Sequence, residues 1–402
     1  MCQIRRVLTL ITMLLISLSV IAQERLFAGE PGDSLAFVDS IPLLNKAPVW
    51  AKKYLNSLIQ GNVDHTREKA FDVSFGAMPS YTREASFGIG ALCTGLYRID
   101  RNDSLPSPSD VVACVNASLN GFFVFFLKGN VLFPDNRSRL NYRVDLYKKR
   151  LDFWGINSEQ TAMNPKSVYD RRNIGVKINY VYRITHNLYL GAKFQADYTD
   201  AKRIANPEYL LGERKNIYVT GIGMSAEIDS RNSIITPTRG IRIAYSAMFY
   251  PECFGTAPRF FNSHTFIGNL YAGLWKDALV GFDFYAKLNS SKAPWTMREM
   301  VASDGIRMRG YYMGSYIDNS QIAIQAELRQ HIWGRIGATA WIGGATVFSS
   351  LSDFNREKIR PEWLPNGGLG LRFEFKHNVN ARIDFGIGRH TCGFVFAIGE
   401  AF

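Results

Sequence analysis

From Phe71 onward, apolar and polar residues alternate with a period of two. Leu140, Tyr142, Val144 and Leu146 alternate with Asn141, Arg143 and Asp145. Ile174, Val176, Ile178, Tyr180 and Tyr182 alternate with Gly175, Lys177, Asn179 and Arg183, and Ile322, Ile324, Ala326 and Leu328 with Ala323, Gln325, Glu327 and Arg329. Successive side chains of a strand point to opposite faces, so each run predicts a strand with one apolar and one charged face. Centres near Val73, Ile89, Ala113, Phe125, Tyr142, Ile178, Phe194, Met224, Ile243, Leu270, Phe284, Ile324, Trp341, Leu371, Ile383 and Phe396 predict about sixteen strands. Before them, Trp50, Tyr54 and Leu58 recur at a spacing of four, with Ala51 and Leu55 beside them and Gly61 as a stop, which predicts an amphipathic helix over 47–59. Its roles divide between a helix docked on the rest of the chain and a plug or partner contact.

Residues 1–22 read as a signal peptide: Arg5-Arg6, an apolar run from Val7 to Ile21, and small residues ending at Ala22. Cys2 precedes the apolar segment, which argues against a lipoprotein. Residues 23–69 form a segment ahead of the strands, placed in the periplasm. Period-two alternation alone also suits a soluble sandwich. Joined to an export signal and a charged second face, it points to an all-β transmembrane antiparallel barrel with a wet interior over 70–402, in the outer membrane of a Gram-negative bacterium. Long connections over 150–172, 199–214, 290–316 and 349–366 all follow odd-numbered strands. Short turns at Thr185-His186-Asn187, Lys276-Asp277 and His377-Asn378 all follow even-numbered ones. That is the asymmetry of outer-membrane barrels, with short periplasmic turns and long external loops. The 99–109 connection is long for its side.

Composition narrows the picture. Aromatics make up 13% and there are 34 glycines, which suits twisted strands with aromatic girdles. The formal charge of +12 allows nucleic acid, anionic lipid or a cationic pore lining as partners. No zinc knuckle, helix-turn-helix or Lys/Arg tract is present, so nucleic acid is set aside. Lumen-side Lys177, Arg183, Lys193, Arg329, Arg372, Lys376 and Arg382 favour anions, partly offset by Asp197, Glu327, Glu374 and Asp384. Cys93, Cys114, Cys253 and Cys392 are widely spaced; Cys93 with Cys114 is the nearest pair, though isolated thiols are the simpler reading. The six histidines are scattered and no G-x-S-x-G, H-E-x-x-H or phosphate loop occurs, so neither an enzyme nor a cofactor is implied.

The chain closes on Phe394, Phe396, Ile398, Gly399 and Phe402, with the apolar members expected on one lipid-facing side. Three stretches together resemble the outer-membrane assembly superfamily, the BamA/TamA-type barrels also called bacterial surface antigens. Asp229-Ser230-Arg231 followed by Pro237 and Gly240 is similar to that family's D-x-R…P-x-x-G periplasmic turn. Arg307-Met308-Arg309-Gly310-Tyr311 resembles the R-G-F/Y tip of the external loop before strand twelve. The closing strand resembles the C-terminal β-signal used in barrel assembly. The form with a short N-terminal helix and no periplasmic repeats is similar to barrels of Bacteroidetes-like bacteria. The resemblance implies that Arg309 enters the lumen and pairs with acids there; the plainer alternative leaves it in an exposed loop. The family's acid in strand thirteen is replaced by glycine in Trp341-Ile342-Gly343-Gly344, so the partner is sought among Glu327, Glu374 and Asp384, all inward by parity.

Two functions follow from this reading. One is insertion, assembly or translocation of unfolded outer-membrane protein clients through a lateral seam between strand one (Phe71 to Met78, ended by Pro79) and the last strand, loosened by Gly393 and Gly399. The other is a pore or structural barrel without insertase activity. Residues 23–69 are too short for a periplasmic substrate-binding module, so a periplasmic or membrane partner is expected to supply client recognition. The surrounding ligand is outer-membrane lipid.

Overall fold

The computed structural model describes residues 66–82, 86–100, 102, 107–257, 259–355, 361–376 and 379–402. The leader 1–22, the helix over 47–59 and the His377-Asn378 turn lie outside the described residues. Among the described residues eighteen strands follow one another: β1 (Asp72–Thr82), β2 (Ser86–Tyr97), β3 (Ser109–Ser118), β4 (Phe123–Leu132), β5 (Ser138–Phe153), β6 (Ser167–Thr185), β7 (Leu188–Lys202), β8 (Asn216–Asp229) and β9 (Gly240–Tyr250) make the first half. β10 (Phe261–Gly273), β11 (Ala278–Asn289), β12 (Glu299–Met300), β13 (Ile317–Asp318), β14 (Ser320–Trp333), β15 (Ile336–Phe348), β16 (Leu364–Lys376), β17 (Val379–Gly388) and β18 (Thr391–Ile398) make the second. One short helix, α1 (Ser158–Met163), sits in the β5–β6 loop.

All but β12 and β13 belong to one antiparallel sheet of sixteen strands in simple sequence order. Each of the sixteen expected centres falls within one of them. In hydrocarbon every backbone N–H and C=O must find a partner within the protein, and an antiparallel meander supplies them strand by strand. β1 and β18 lie beside one another at the ends of the sheet, yet among the described residues no ladder joins them. Outward positions remain apolar and uncovered, as at Ile89, Ile222, Met224, Ile342 and Leu369, each more than half exposed. Such a belt is stable only against lipid or a partner.

The strands exceed their sequence-based limits in two places. β1 runs through Pro79, which stands opposite Ile89, so the proline does not end the strand. β5 and β6 extend the long β5–β6 hairpin to Phe153 and Ser167, and their ends join an apolar cluster with Tyr209, Ile217, Tyr250 and Trp295. This cluster gathers the long loops into a dome over one end of the barrel.

The last strand also departs from expectation. β18 stops at Ile398, and Gly399 takes φ +87, a left-handed turn that suits a residue without Cβ. Beyond it the chain turns into the lumen. The Phe402 ring lies against Tyr271 at 6.2 Å and under the Arg329 guanidinium at 5.0 Å, and its carbonyl oxygen accepts a hydrogen bond from Arg329. Phe402 is therefore not on the lipid face with Phe394, and Ile398 packs with the inner cluster of Leu92, Val112 and Val379. The physical reason is Glu400, whose carboxylate meets Arg372 at 3.0 Å and Asn380 at 2.6 Å inside the barrel.

Register also decides the cysteine question. Cys93 stands opposite Ala113 while Cys114 stands opposite Leu92, so the two thiols occupy opposite faces of the sheet. Alkylation in denaturant without reductant is expected to label Cys93, Cys114, Cys253 and Cys392 alike; a mass spectrum lacking label on Cys93 and Cys114 together would contradict the register.

Candidate functional site

The loop between β11 and β14 turns inward, and its tip, Arg307 to Tyr311, lodges against the lumen wall. Three devices hold it. The first is a pair of arginines on carboxylates. Arg309 is 1% exposed; its Nη2 donates to Glu327 Oε2 at 2.6 Å and its Nη1 to Asp384 Oδ2 at 2.9 Å. Arg307 makes a two-pronged contact with Asp283 at 2.6 and 2.8 Å, and its third nitrogen holds Asp304. A guanidinium taken out of water requires this many charge-assisted bonds to offset its desolvation.

The second device is an aromatic floor. The Arg309 guanidinium stacks 3.6 Å from the Trp341 ring centre. Trp341 Nε1 donates to Asn366 Oδ1, and the Asn366 amide in turn donates to the Arg309 carbonyl, so side chain and backbone of one arginine are fixed by one relay. Trp341 thus occupies strand thirteen of the barrel, where the family resemblance led to the search for an acid. It supplies a π-face instead of a charge.

The third device is absence of side chains. A Cβ on Gly386 would collide with the Arg309 carbonyl, one on Gly388 with the Tyr311 ring, and one on Gly368 with Trp341. Gly310 adopts φ +98, and its own Cβ would strike the backbone of Gly386. Gly368, Gly386 and Gly393 stand in one cross-strand row on β16, β17 and β18, making a trough into which the loop backbone descends. Tyr311 Oη donates to the Pro365 carbonyl and accepts from the Arg389 amide, while Thr391 Oγ1 donates to the Gly310 carbonyl. The tip therefore touches β18 itself, the strand that lies beside β1.

Around Arg309 the charges form a continuous set. Arg372 reaches Asp384 at 2.6 Å and Glu400 at 3.0 Å; Arg382 reaches Asp384 at 2.5 Å and the Gly305 carbonyl at 2.7 Å; Arg329 reaches Glu327 at 2.8 Å. Of the three expected partners, the structure brings Glu327 and Asp384 to Arg309 and leaves Glu374 aside. Glu374 stands opposite Asn380 near the turn end of β16, and its backbone amide donates to the Arg335 carbonyl. Parity was right for it but height along the strand was not. Asp283, Trp341, Asn366 and Glu400 went unrecognised as site residues. The paired glycines Gly368-x-Gly370 and Gly386-x-Gly388, alternating on one face, were the available signal.

At the turn end, Asp229 is a second hub. It accepts from the Arg231 amide and guanidinium at 2.9 to 3.1 Å and from Arg139 Nη1 at 2.5 Å. Arg139 stacks on Tyr189 at 4.1 Å. Gly240 takes φ +109 where a Cβ would meet the Ser230 carbonyl at 2.5 Å, and Pro237 is buried. The turn is stapled shut, and its Ile235 packs beneath the lumen on Leu92, Val112 and Val379.

Breaking a buried pair by deleting one charge costs about 3–5 kcal/mol. Glu327→Gln or Asp384→Asn is expected to destabilise the barrel by that order, measured by urea unfolding in lipid vesicles, and by more than Glu374→Gln, which removes no contact to Arg309. Gly386→Ala should expel the loop tip with the strands intact. Limited proteolysis of intact vesicles would then cut within residues 301–312 of the variant and spare the unaltered protein; equal resistance of both would contradict the trough.

Comparison with known proteins gives the chain a family and a fold. The Omp85 superfamily domain matches residues 122–402. A search of curated proteins gave no match to the sequence. Among solved structures, BamA from Haemophilus ducreyi lacking POTRA domains 1-3 is similar at TM-score 0.50 and 11% identity, over 83% of this chain and 70% of that one. CdiB from Acinetobacter baumannii is similar at TM-score 0.50 and 10% identity, over 86% and 67%, and CdiB from Escherichia coli at 0.54 and 8%, over 83% and 63%. At these identities the likeness concerns the fold. A sixteen-strand meander, an apolar outer belt and a family match over most of its length establish that this chain belongs to the Omp85 superfamily and is an outer-membrane β-barrel of the assembly and translocation type.

Proposed function

We propose that the barrel inserts or translocates unfolded outer-membrane protein clients through the seam between β1 and β18. The observation that carries this reading is the unpaired seam: β1 and β18 adjoin without a ladder among the described residues, while all other neighbouring strands are laddered. A strand edge with free N–H and C=O groups is a template for an incoming strand, which adds by main-chain hydrogen bonds regardless of its side chains. β18 has only eight residues and carries Gly393, both of which weaken its pairing.

The loop tip gives the seam a controller. It holds β17 through Asp384 and Gly386, and β18 through Thr391, so its seating sets the position of the closing strands. The work is mechanical, without a covalent step. A periplasmic or membrane partner supplies client recognition, and lipid bordering the seam receives the client.

Depletion followed by quantitative proteomics of the outer membrane tests this reading. Broad loss of other folded β-barrels is the expected result; loss of a single exported protein would redefine the role as dedicated export, and an unchanged proteome would leave a pore or structural barrel. Within the mechanism, Val73→Cys with Phe396→Cys, cross-linked across the seam, should abolish complementation and recover it on reduction. Full complementation by the oxidised form would refute lateral opening.

A further inference from the structure

The lumen is divided electrically. In the half formed by β11 and β14–β18, each arginine around the loop tip meets a carboxylate. In the other half, the stretch across β4–β6 behaves differently. Lys128 on β4 stands opposite Arg143 on β5, and Arg143 stands opposite Lys177 on β6, so three cations form one cross-strand row. Lys193 on β7 flanks it, opposite Asn179. Directly opposed like charges on neighbouring strands repel and destabilise a sheet.

The acids nearby neutralise one member of the row, Arg143, and leave its two lysines without an ion pair among the described residues. Asp145 is taken by Arg143 at 2.7 Å, Asp110 accepts from Asn130, Asp197 from Gln195, and Glu400 is held by Arg372 and Asn380. Lys128 and Lys177 have no carboxylate partner among the described residues, and Lys193 bonds only the Ser246 hydroxyl. These side chains line a cavity of about 440 Å³, closed toward the turn end by Ile234 and Ile235.

Beside the cations runs an oriented amide ladder. Asn130 donates to Asp110, Asn141 to Asn130, Asn179 to Asn141, and the Ser225 hydroxyl to Asn179, at 2.7, 2.6, 3.4 and 2.9 Å. The Asp110 carboxylate can only accept, which sets every amide in the same sense. Each amide has two N–H donors and the ladder engages one, so the second is left for a ligand. Ammonium groups beside fixed amide donors, in a half-open cavity, suit a multivalent oxyanion.

We infer that this half of the lumen is a binding site for phosphate-class oxyanions, held by Lys128, Lys177 and Lys193 with Arg143 and the Asn130–Asn141–Asn179 ladder. The cavity is bordered on one side by Val379, Ile398, Gly399 and Glu400, at the end of β18. Its ligand neutralises a row that otherwise repels itself, so occupancy tightens β4–β6.

The test uses the folded barrel at low ionic strength with inorganic pyrophosphate as probe. Calorimetry is expected to give a dissociation constant below about 1 mM, with a rise of a few degrees in unfolding midpoint by mass action. Lys128→Gln with Lys177→Gln should weaken binding at least about tenfold, and the ligand-free variant should be at least as heat-stable as the parent because repulsion is relieved. Lys166→Gln, outside the cavity, is the control. Vesicles of phosphatidylcholine with and without phosphatidic acid separate the sources: stabilisation by soluble pyrophosphate in both identifies a free anion, and stabilisation by phosphatidic acid alone identifies a lipid headgroup. Absence of any stabilisation, or equal stabilisation of the double variant, would overturn the site.

Discussion

The structure depends on a guanidinium deprived of water. Arg309 stands between Glu327 and Asp384 with its π-face on Trp341, and it is stable there only because every feature around it serves that placement. The glycines of β16 and β17 let the loop backbone descend, Asn366 ties that backbone to the aromatic floor, and Arg372 and Arg382 prevent the two carboxylates from being left with a single cation. A buried ion pair of this kind adds little net stability over an apolar core. What it specifies is position: the loop has one seat, and lifting it exposes uncompensated charges of both signs.

That seat lies where a barrel is weakest. Among the described residues no ladder joins β1 to β18, and the loop tip rests against β18. The Glu400 segment adds a second tie, drawing the chain after β18 inward to Arg372 and Arg329 instead of extending the strand along lipid. Shortening the last strand and anchoring its follow-on residues inside leave the β1 edge with less to pair against. Contiguous bonded groups thus run from the charged core to β18.

Much of this was legible in the residues. Sixteen strand centres, the parity of their connections and the loop tip ahead of the twelfth barrel strand follow from period-two alternation and turn residues. Glu327 and Asp384 were legible as inward acids, since parity is a local property. Glu374 misled for the same reason: parity states the face and is silent about height. Trp341 was read only as part of a stretch lacking an acid, because a π-face substitutes for charge in a way no residue-type match conveys. Phe402 was assigned to lipid by strand continuity, and the turn at Gly399 ended that continuity.

The sequence by itself therefore determined the strand count, the two faces of each strand and the end of the barrel at which each connection lies, because all three depend on neighbours along the chain. Tertiary structure alone decided which carboxylates meet which arginines, that Cys93 and Cys114 face apart, and that Lys128, Arg143 and Lys177 share one cross-strand row. Those outcomes depend on stagger between strands and on a loop returning to the wall. Both are set by the summed register of the whole sheet, a quantity that no single segment contains.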